Sequence, residues 1–160
     1  MIKKYELTDK PHLLSLFTDD EVMKYVGDGV MTMTQAEDWW RKLFAKFYPE
    51  KNLKIWAVFA KENNAYVGHA GIYPRPEKPE EWELVYFLSR ENWGKGYATE
   101  IARRIINYGF EELKLMEIYA TVNDDHSGSI RVLEKVGMRF KRFEFDDEGR
   151  FSVYSISARR

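Results

Sequence analysis

The feature that most restricts the fold is a double change of apolar period around one short glycine segment. Residues 82–88, Trp-Glu-Leu-Val-Tyr-Phe-Leu, read as a strand. Beyond Gly94-Lys95-Gly96, residues Ala98, Ile101, Ala102, Ile105, Gly109 and Leu113 recur at helical spacing, with Arg103, Arg104, Asn107 and Glu111 facing away. A second strand-like run follows at 118–122. Strand, helix and strand in succession make a crossover between parallel neighbours. The remaining strands predict hairpins: 55–60 with 65–72 around Lys61-Glu62-Asn63-Asn64, and 140–145 with 151–157 around Asp146-Asp147-Glu148-Gly149. The class is α+β, a mixed, mostly antiparallel central sheet flanked by helices.

The N-terminal third is helical after a short strand at 2–7. Asp9 and Pro11 start a helix carrying Leu13, Leu14, Leu16 and Phe17. A second, at 19–26, ends at Gly27. Thr34-Gln35-Ala36-Glu37 forms a capping box ahead of Ala36, Trp39, Trp40, Leu43, Phe44 and Phe47. Pro74-Arg75-Pro76-Glu77-Lys78-Pro79 reads as a rigid surface loop between two strands. A late helix with Ile130, Leu133 and Val136 stops at Gly137. With no linker, repeat or low-complexity tract, residues 1–160 are expected to form a single domain.

Composition removes several classes of function. Lys and Arg total 25 against 26 Asp and Glu, a net charge of −1, so a general nucleic-acid binder is not expected. There is no cysteine for a disulfide, thiolate ligand or nucleophile, and His12, His69 and His126 have no metal-binding spacing, so no metal is expected. The longest apolar run, 55–60, is far below the roughly 20 residues of a membrane span, and the N-terminus carries no signal-like apolar stretch. These features predict a cytoplasmic protein without a membrane or nucleic-acid partner.

The chemistry concentrates at Trp93-Gly94-Lys95-Gly96-Tyr97-Ala98-Thr99-Glu100. Glycines between a strand and a helix allow a tight turn and close approach of a ligand. The first helical N–H groups point outward with the positive end of the helix dipole behind them, which suits a phosphate or pyrophosphate. Gly-Lys-Gly also serves as an ordinary turn. A P-loop is excluded, because Ser89 and Gly96 stand where that motif needs Gly and Ser or Thr. A dinucleotide fingerprint is excluded by Thr99 at its third glycine.

The same segment resembles the acetyl-CoA loop of the GNAT superfamily of N-acetyltransferases, Gln/Arg-x-x-Gly-x-Gly/Ala, with Trp93, Gly96 and Ala98 at the patterned positions. Its Trp93 is like that of the ribosomal-protein N-terminal (RimJ/RimL-type) branch. Ser129-Ile130-Arg131-Val132-Leu133-Glu134-Lys135-Val136-Gly137-Met138 resembles the family's late helix, with His126 at its usual asparagine. The resemblance implies an acyl-CoA N-acyltransferase fold and transfer of acetyl from acetyl-CoA to a primary amine by direct attack in a ternary complex. The acceptor classes it implies are a peptide N-terminus, a polyamine or another small amine. It implies that Val85, Tyr86, Phe87 and Leu88 offer strand backbone to pantetheine, that Trp93, Gly94, Lys95, Gly96, Tyr97 and Ala98 cradle the pyrophosphate, and that His126 contacts the cofactor. Two other readings use the same scaffold: transfer of another acyl group such as succinyl, and a catalytically inactive CoA-binding sensor. The chain is expected to be a monomer or a homodimer.

Catalytic candidates each carry two readings. Glu83, in an apolar strand, is a general base acting directly or through water, or a strand glutamate held in an ion pair or hydrogen bond. Ser129 approaches the coenzyme sulfur by resemblance, or caps the late helix. Leu133 and Thr121 stand where many relatives carry a tyrosine and a glutamate. His126 is a cofactor contact, a proton shuttle or a loop histidine, and His69 reads as a strand residue with no special role. Trp39 and Trp40 lie on an apolar helical stripe and either pack the core or line the acceptor pocket.

Overall fold

The computed structural model describes residues 1–27 and 29–159. Its elements are β1 (Ile2–Lys3), α1 (Lys10–Phe17), α2 (Asp20–Met23), α3 (Met33–Lys42), β2 (Lys54–Phe59), β3 (Tyr66–Arg75), β4 (Lys78–Leu88), α4 (Tyr97–Glu111), β5 (Glu117–Asn123), α5 (Ser127–Lys135), β6 (Arg139–Asp146) and β7 (Gly149–Ser157). The strands hydrogen-bond in the order β1-β2-β3-β4-β5-β7-β6. β1 with β2, β5 with β7 and β6 with β7 are antiparallel, and β4 with β5 is parallel, as the α4 crossover demands. This is the mixed, mostly antiparallel sheet flanked by helices that the apolar periods predict. The chain divides into two compact units, one of Met1–Gly71 with Tyr86–Lys95, the other of Ile72–Val85 with the chain from Gly96 onward.

In the first unit the helices start differently from their sequence signals. The capping box ahead of α3 is Thr32 with Gln35, not Thr34 with Glu37: Gln35 N donates to Thr32 Oγ1 at 3.2 Å and Thr32 N to Gln35 Oε1 at 2.9 Å. Asp9 occupies the cap position of α1, but its carboxylate turns back to accept from Glu6 N at 2.8 Å. The expected strand at 2–7 is only Ile2–Lys3, because the chain bends into a 3-10 turn at Leu7–Asp9. The second helix is Asp20–Met23 rather than 19–26, and Asp19 accepts from Glu21 N and Val22 N. α3 widens at its end into a π-helical stretch, Leu43–Phe47, where Tyr48 N donates to Leu43 O at 2.9 Å. Leu13, Phe17, Ala36, Trp40 and Leu43 are buried.

In the second unit the expected proline loop shrinks to Pro76 and Glu77, since β3 continues to Arg75 and β4 begins at Lys78. The reason is an ion cluster. Arg75 is 4% exposed and bonds to Glu81 at 2.6 Å and Glu144 at 2.9 Å, while Arg142 reaches the same two carboxylates at 2.6 and 2.9 Å. Such charges stay buried only when paired and hydrogen-bonded, so they hold the two strands together through the turn. α4 buries Ile101, Ala102, Ile105, Ile106 and Gly109, and exposes Arg103, Arg104, Asn107 and Glu111. A Cβ on Gly109 would lie 2.6 Å from Ile118 Cδ1 and 3.1 Å from Ile72 Cδ1, so glycine sets how closely α4 approaches the sheet.

Candidate functional site

The glycine segment opens α4 as a helix N-terminus should. Gly96 is the N-cap in the left-handed region, φ 84°, and Gly94 has φ 71°. No heavy atom lies within 4 Å of a Cβ built on either residue, so the space over the turn is open. A helix N-terminus of this kind leaves the first-turn N–H groups without an intrahelical partner, with the helix dipole behind them. On the same helical face Gly96, Thr99, Glu100 and Arg103, spaced three, four and seven residues on, line an open concavity of about 540 Å³ with Lys135 of α5. Arg103 Nη2 donates to Lys135 O at 3.4 Å. Arg103 and Lys135 were not among the sequence candidates, although the i, i+3, i+4, i+7 spacing from Gly96 was there to be read.

The segment leading into the turn is fixed by side chains that sequence reasoning passed over. Ser89 N and Oγ both donate to Val67 O, at 3.0 and 3.2 Å, and Asn92 Nδ2 donates to Ser89 Oγ at 2.7 Å. Arg90 Nε reaches Asp19 Oδ2 at 2.9 Å. Trp93 is 47% exposed, yet its indole Nε1 donates to Leu88 O at 2.9 Å and ties the segment to the end of β4. Lys95 is exposed, and Tyr97 and Ala98 are half-buried.

Of residues 85–88, Val85, Tyr86 and Phe87 are half-buried and Leu88 is buried. The Phe87 ring stacks on His69, centroids 4.8 Å apart and planes 14° apart. His69 is 2% exposed, its Nδ1 lies 2.9 Å from Tyr5 Oη, and burial lowers its pKa to about 3, so the imidazole is neutral. Trp39 is half-buried and packs edge-on against Phe17 at 4.8 Å and His69 at 5.5 Å. Trp40 is buried at 5% exposure and meets Tyr5 edge-on at 5.9 Å. Trp39 thus joins an aromatic group with Phe17, His69 and Phe87, while Trp40 faces Tyr5.

Glu83 sits where β4 registers with β5, opposite Tyr119. Its Oε1 accepts from Thr121 N at 3.2 Å and from Thr121 Oγ1. Burial raises its pKa above the ordinary carboxylate value, against the pull of the Thr121 hydroxyl and Arg75. Tyr73 is raised in turn by burial and by the nearby Glu83. α5 begins at Ser127 with His126 as its N-cap, so Ser129 lies in the first turn and is not the capping serine. Burial lowers the His126 pKa, opposed by Asp125. Leu133 is buried at 1% exposure. Among the described residues no group of three His, Cys, Asp or Glu side chains is arranged to hold a metal, and no helix is long and apolar enough to cross a membrane.

Residues 1–139 match the family model described as an acetyltransferase (GNAT) domain. YnaD of Bacillus subtilis (strain 168), an uncharacterized N-acetyltransferase, is 30% identical over 143 residues, 89% of this chain and 81% of YnaD. The solved structure of a GNAT-family acetyltransferase from Bacillus anthracis is similar over 98% of this chain and 93% of its own, with TM-score 0.82 and 29% identity. Spermidine N-acetyltransferase from Vibrio cholerae, solved with CoA and spermine, has TM-score 0.83 over 98% and 94% of the two chains at 16% identity, a likeness of fold. The chain belongs to the GNAT family of N-acetyltransferases.

Proposed function

We propose that residues 1–160 act as one catalytic domain that moves the acetyl group of acetyl-CoA to a primary amine by direct attack in a ternary complex. The observation that carries this is the turn of two left-handed glycines at the N-terminus of α4, open over both positions. A pyrophosphate fits that turn, because a Cβ at either position would occupy the space its oxygens need and would strain the backbone. Trp93, Gly94, Lys95, Gly96, Tyr97 and Ala98 hold this anion, and the backbone of Val85, Tyr86, Phe87 and Leu88 receives pantetheine by strand addition. Acetyl-CoA, when bound, supplies an acetyl group activated as a thioester.

The chain's own residues position the amine and take its proton. Glu83, with its raised pKa, is the proton acceptor, acting directly or through water, and Thr121 fixes the orientation of the carboxylate. Ser129 approaches the coenzyme sulfur, His126 contacts the cofactor, and Trp39 or Trp40 lines the acceptor pocket. The favoured acceptor is a protein α-amine or another amine of reduced pKa. With pKa about 7.7–8.0 against about 10.4 for lysine, an α-amine is far more often the neutral nucleophile near pH 7.

The test combines binding and kinetics on the full chain. Acetyl-CoA should raise the Tm of the wild type and hardly move that of a folded Gly96→Val variant; equal shifts would remove the turn from the site. Initial-rate plots against a peptide with a free N-terminus should intersect. Parallel lines together with an acetylated enzyme would refute direct transfer. Ten-fold preference for an N-terminally blocked lysine peptide, or for spermidine, would overturn the acceptor assignment.

A further inference from the structure

β6 ends the strand order, so among the described residues its outer edge has no strand partner. It also carries three exposed phenylalanines: Phe140 at 49%, Phe143 at 47% and Phe145 at 76%. An exposed apolar edge strand is a template for pairing, and proteins usually guard it with an outward lysine. Here Lys141 is exposed but its ammonium is held within the chain, its Nζ 2.6 Å from Glu117 Oε1 and 3.3 Å from Tyr119 Oη.

The pairing of β6 with β7 shows what the edge presents. Phe140 registers with Tyr154 and Arg142 with Val153, so Lys141 is the extra residue of a bulge. Because Tyr154 and Val153 are successive, Phe140 and Arg142 face opposite sides of the sheet. From Arg142 on the sides alternate, which brings Phe140, Phe143 and Phe145 onto one face and Arg139, Arg142, Glu144 and Asp146 onto the other. The Phe140 and Phe143 rings are 4.8 Å apart, and Arg142 Nη2 bonds Glu144 Oε2 at 2.9 Å, as those faces require.

We infer that two copies of this chain join through antiparallel pairing of β6 with β6 about a two-fold axis at Phe143. Counting the bulge as one position, this axis sets Phe143 opposite Phe143 and Phe140 opposite Phe145 of the other copy, all on the aromatic face. On the other face it sets Arg139 opposite Asp146 and Arg142 opposite Glu144. Every pair is aromatic with aromatic or cation with carboxylate. Aromatic pairs and opposite-charge pairs stabilise neighbouring strands, and an isologous contact closes on itself instead of growing into a fibre. A one-position slip brings charges against rings and loses the match. The inference concerns assembly and stands apart from the acetyl-transfer reading.

Sedimentation equilibrium of the full chain over a concentration series tests it, with circular dichroism melts to confirm that each variant folds. The wild type should dimerise. Phe143→Lys places two like charges at the axis, and Arg139→Asp places Asp opposite Asp146 twice. Each should raise the dimer dissociation constant about tenfold or more. The double variant R139D/D146R restores opposite charges in the same register and should recover dimerisation. The chain has no cysteine, so mild oxidation of a Phe143→Cys variant should give a single covalent dimer through that position. A wild type that stays monomeric, a dimer indifferent to Phe143→Lys, or failure of R139D/D146R to recover pairing would each overturn the inference.

Discussion

At the scale of single residues, Glu83 joins stability to the proposed chemistry. Its pKa lies above the ordinary value because burial disfavours the charge more than Thr121 and Arg75 favour it. A carboxyl raised in the folded state contributes its full stability below the unfolded pKa, about 4.3, and loses it as pH rises through the folded value. Glutamine keeps a carbonyl oxygen for the Thr121 donors and never ionises. Glu83→Gln should therefore melt close to the wild type near pH 4 and increasingly above it as pH rises. Thermal melts across pH check this, and a Tm difference independent of pH would contradict it. As the proposed proton acceptor, the same substitution should lower kcat, and the deficit should shrink toward acidic pH, where the wild-type carboxyl is itself protonated and accepts nothing. The carboxylate was legible in the sequence as a charge inside an apolar strand. Its two bonds to Thr121 were not, because the partner is 38 residues away and reaches it only through the parallel register of β4 and β5.

At the scale of elements, what the sequence could and could not specify differs between the middle of an element and its ends. The amphipathic stripe of α4 and the positions of β5 and α5 follow from period alone, since burial of a continuous apolar face is a local demand. Ends depend on what the preceding chain touches. Thr32-x-x-Gln35 and Thr34-x-x-Glu37 both satisfy the capping-box pattern, and the choice falls to a distant contact: Met31 N donates to Phe17 O at 3.0 Å, which places the chain to begin the helix at Met33. The proline-rich stretch misled for a similar reason. Turn chemistry argued for a loop, and an ion cluster reaching from Arg75 to Glu144 extended both strands through it. The cap assignment has a direct measure. Thr32→Ala should cost about 1 kcal/mol in urea unfolding, and Thr34→Ala less than about 0.5 kcal/mol. Equal losses would return the cap to Thr34.

At the scale of the whole molecule, near-neutral net charge makes the placement of charges matter more than their number. The ion cluster of Arg75, Lys78, Glu81, Arg142 and Glu144 sets three cations around two carboxylates. Glu144, held first by the Arg75 hydrogen bond against the cost of burial, is lowered to about 2. A group depressed in the folded state contributes stability above its unfolded pKa, about 4.3, and loses it as pH falls through the folded value, so the loss occupies the window from about pH 4.3 down to about 2. Glu144→Gln leaves Arg75 buried with Glu81 as its remaining carboxylate. The cost of breaking one arm of a buried cluster is about 3 kcal/mol, a substantial part of a typical 5–15 kcal/mol total. Urea unfolding should show that full deficit above about pH 5, and the deficit should shrink toward zero as the wild-type carboxyl is itself protonated near pH 2. A deficit unchanged across this range would mean that the substitution acts through packing and not through charge. The contrast with Glu83→Gln is the sharper test, because the same chemical change should stabilise at one position and destabilise at the other, and both differences should grow as pH rises from acid to neutral. Two carboxylates in one unit would then be distinguished by environment alone, one disfavoured by burial and one held by arginine.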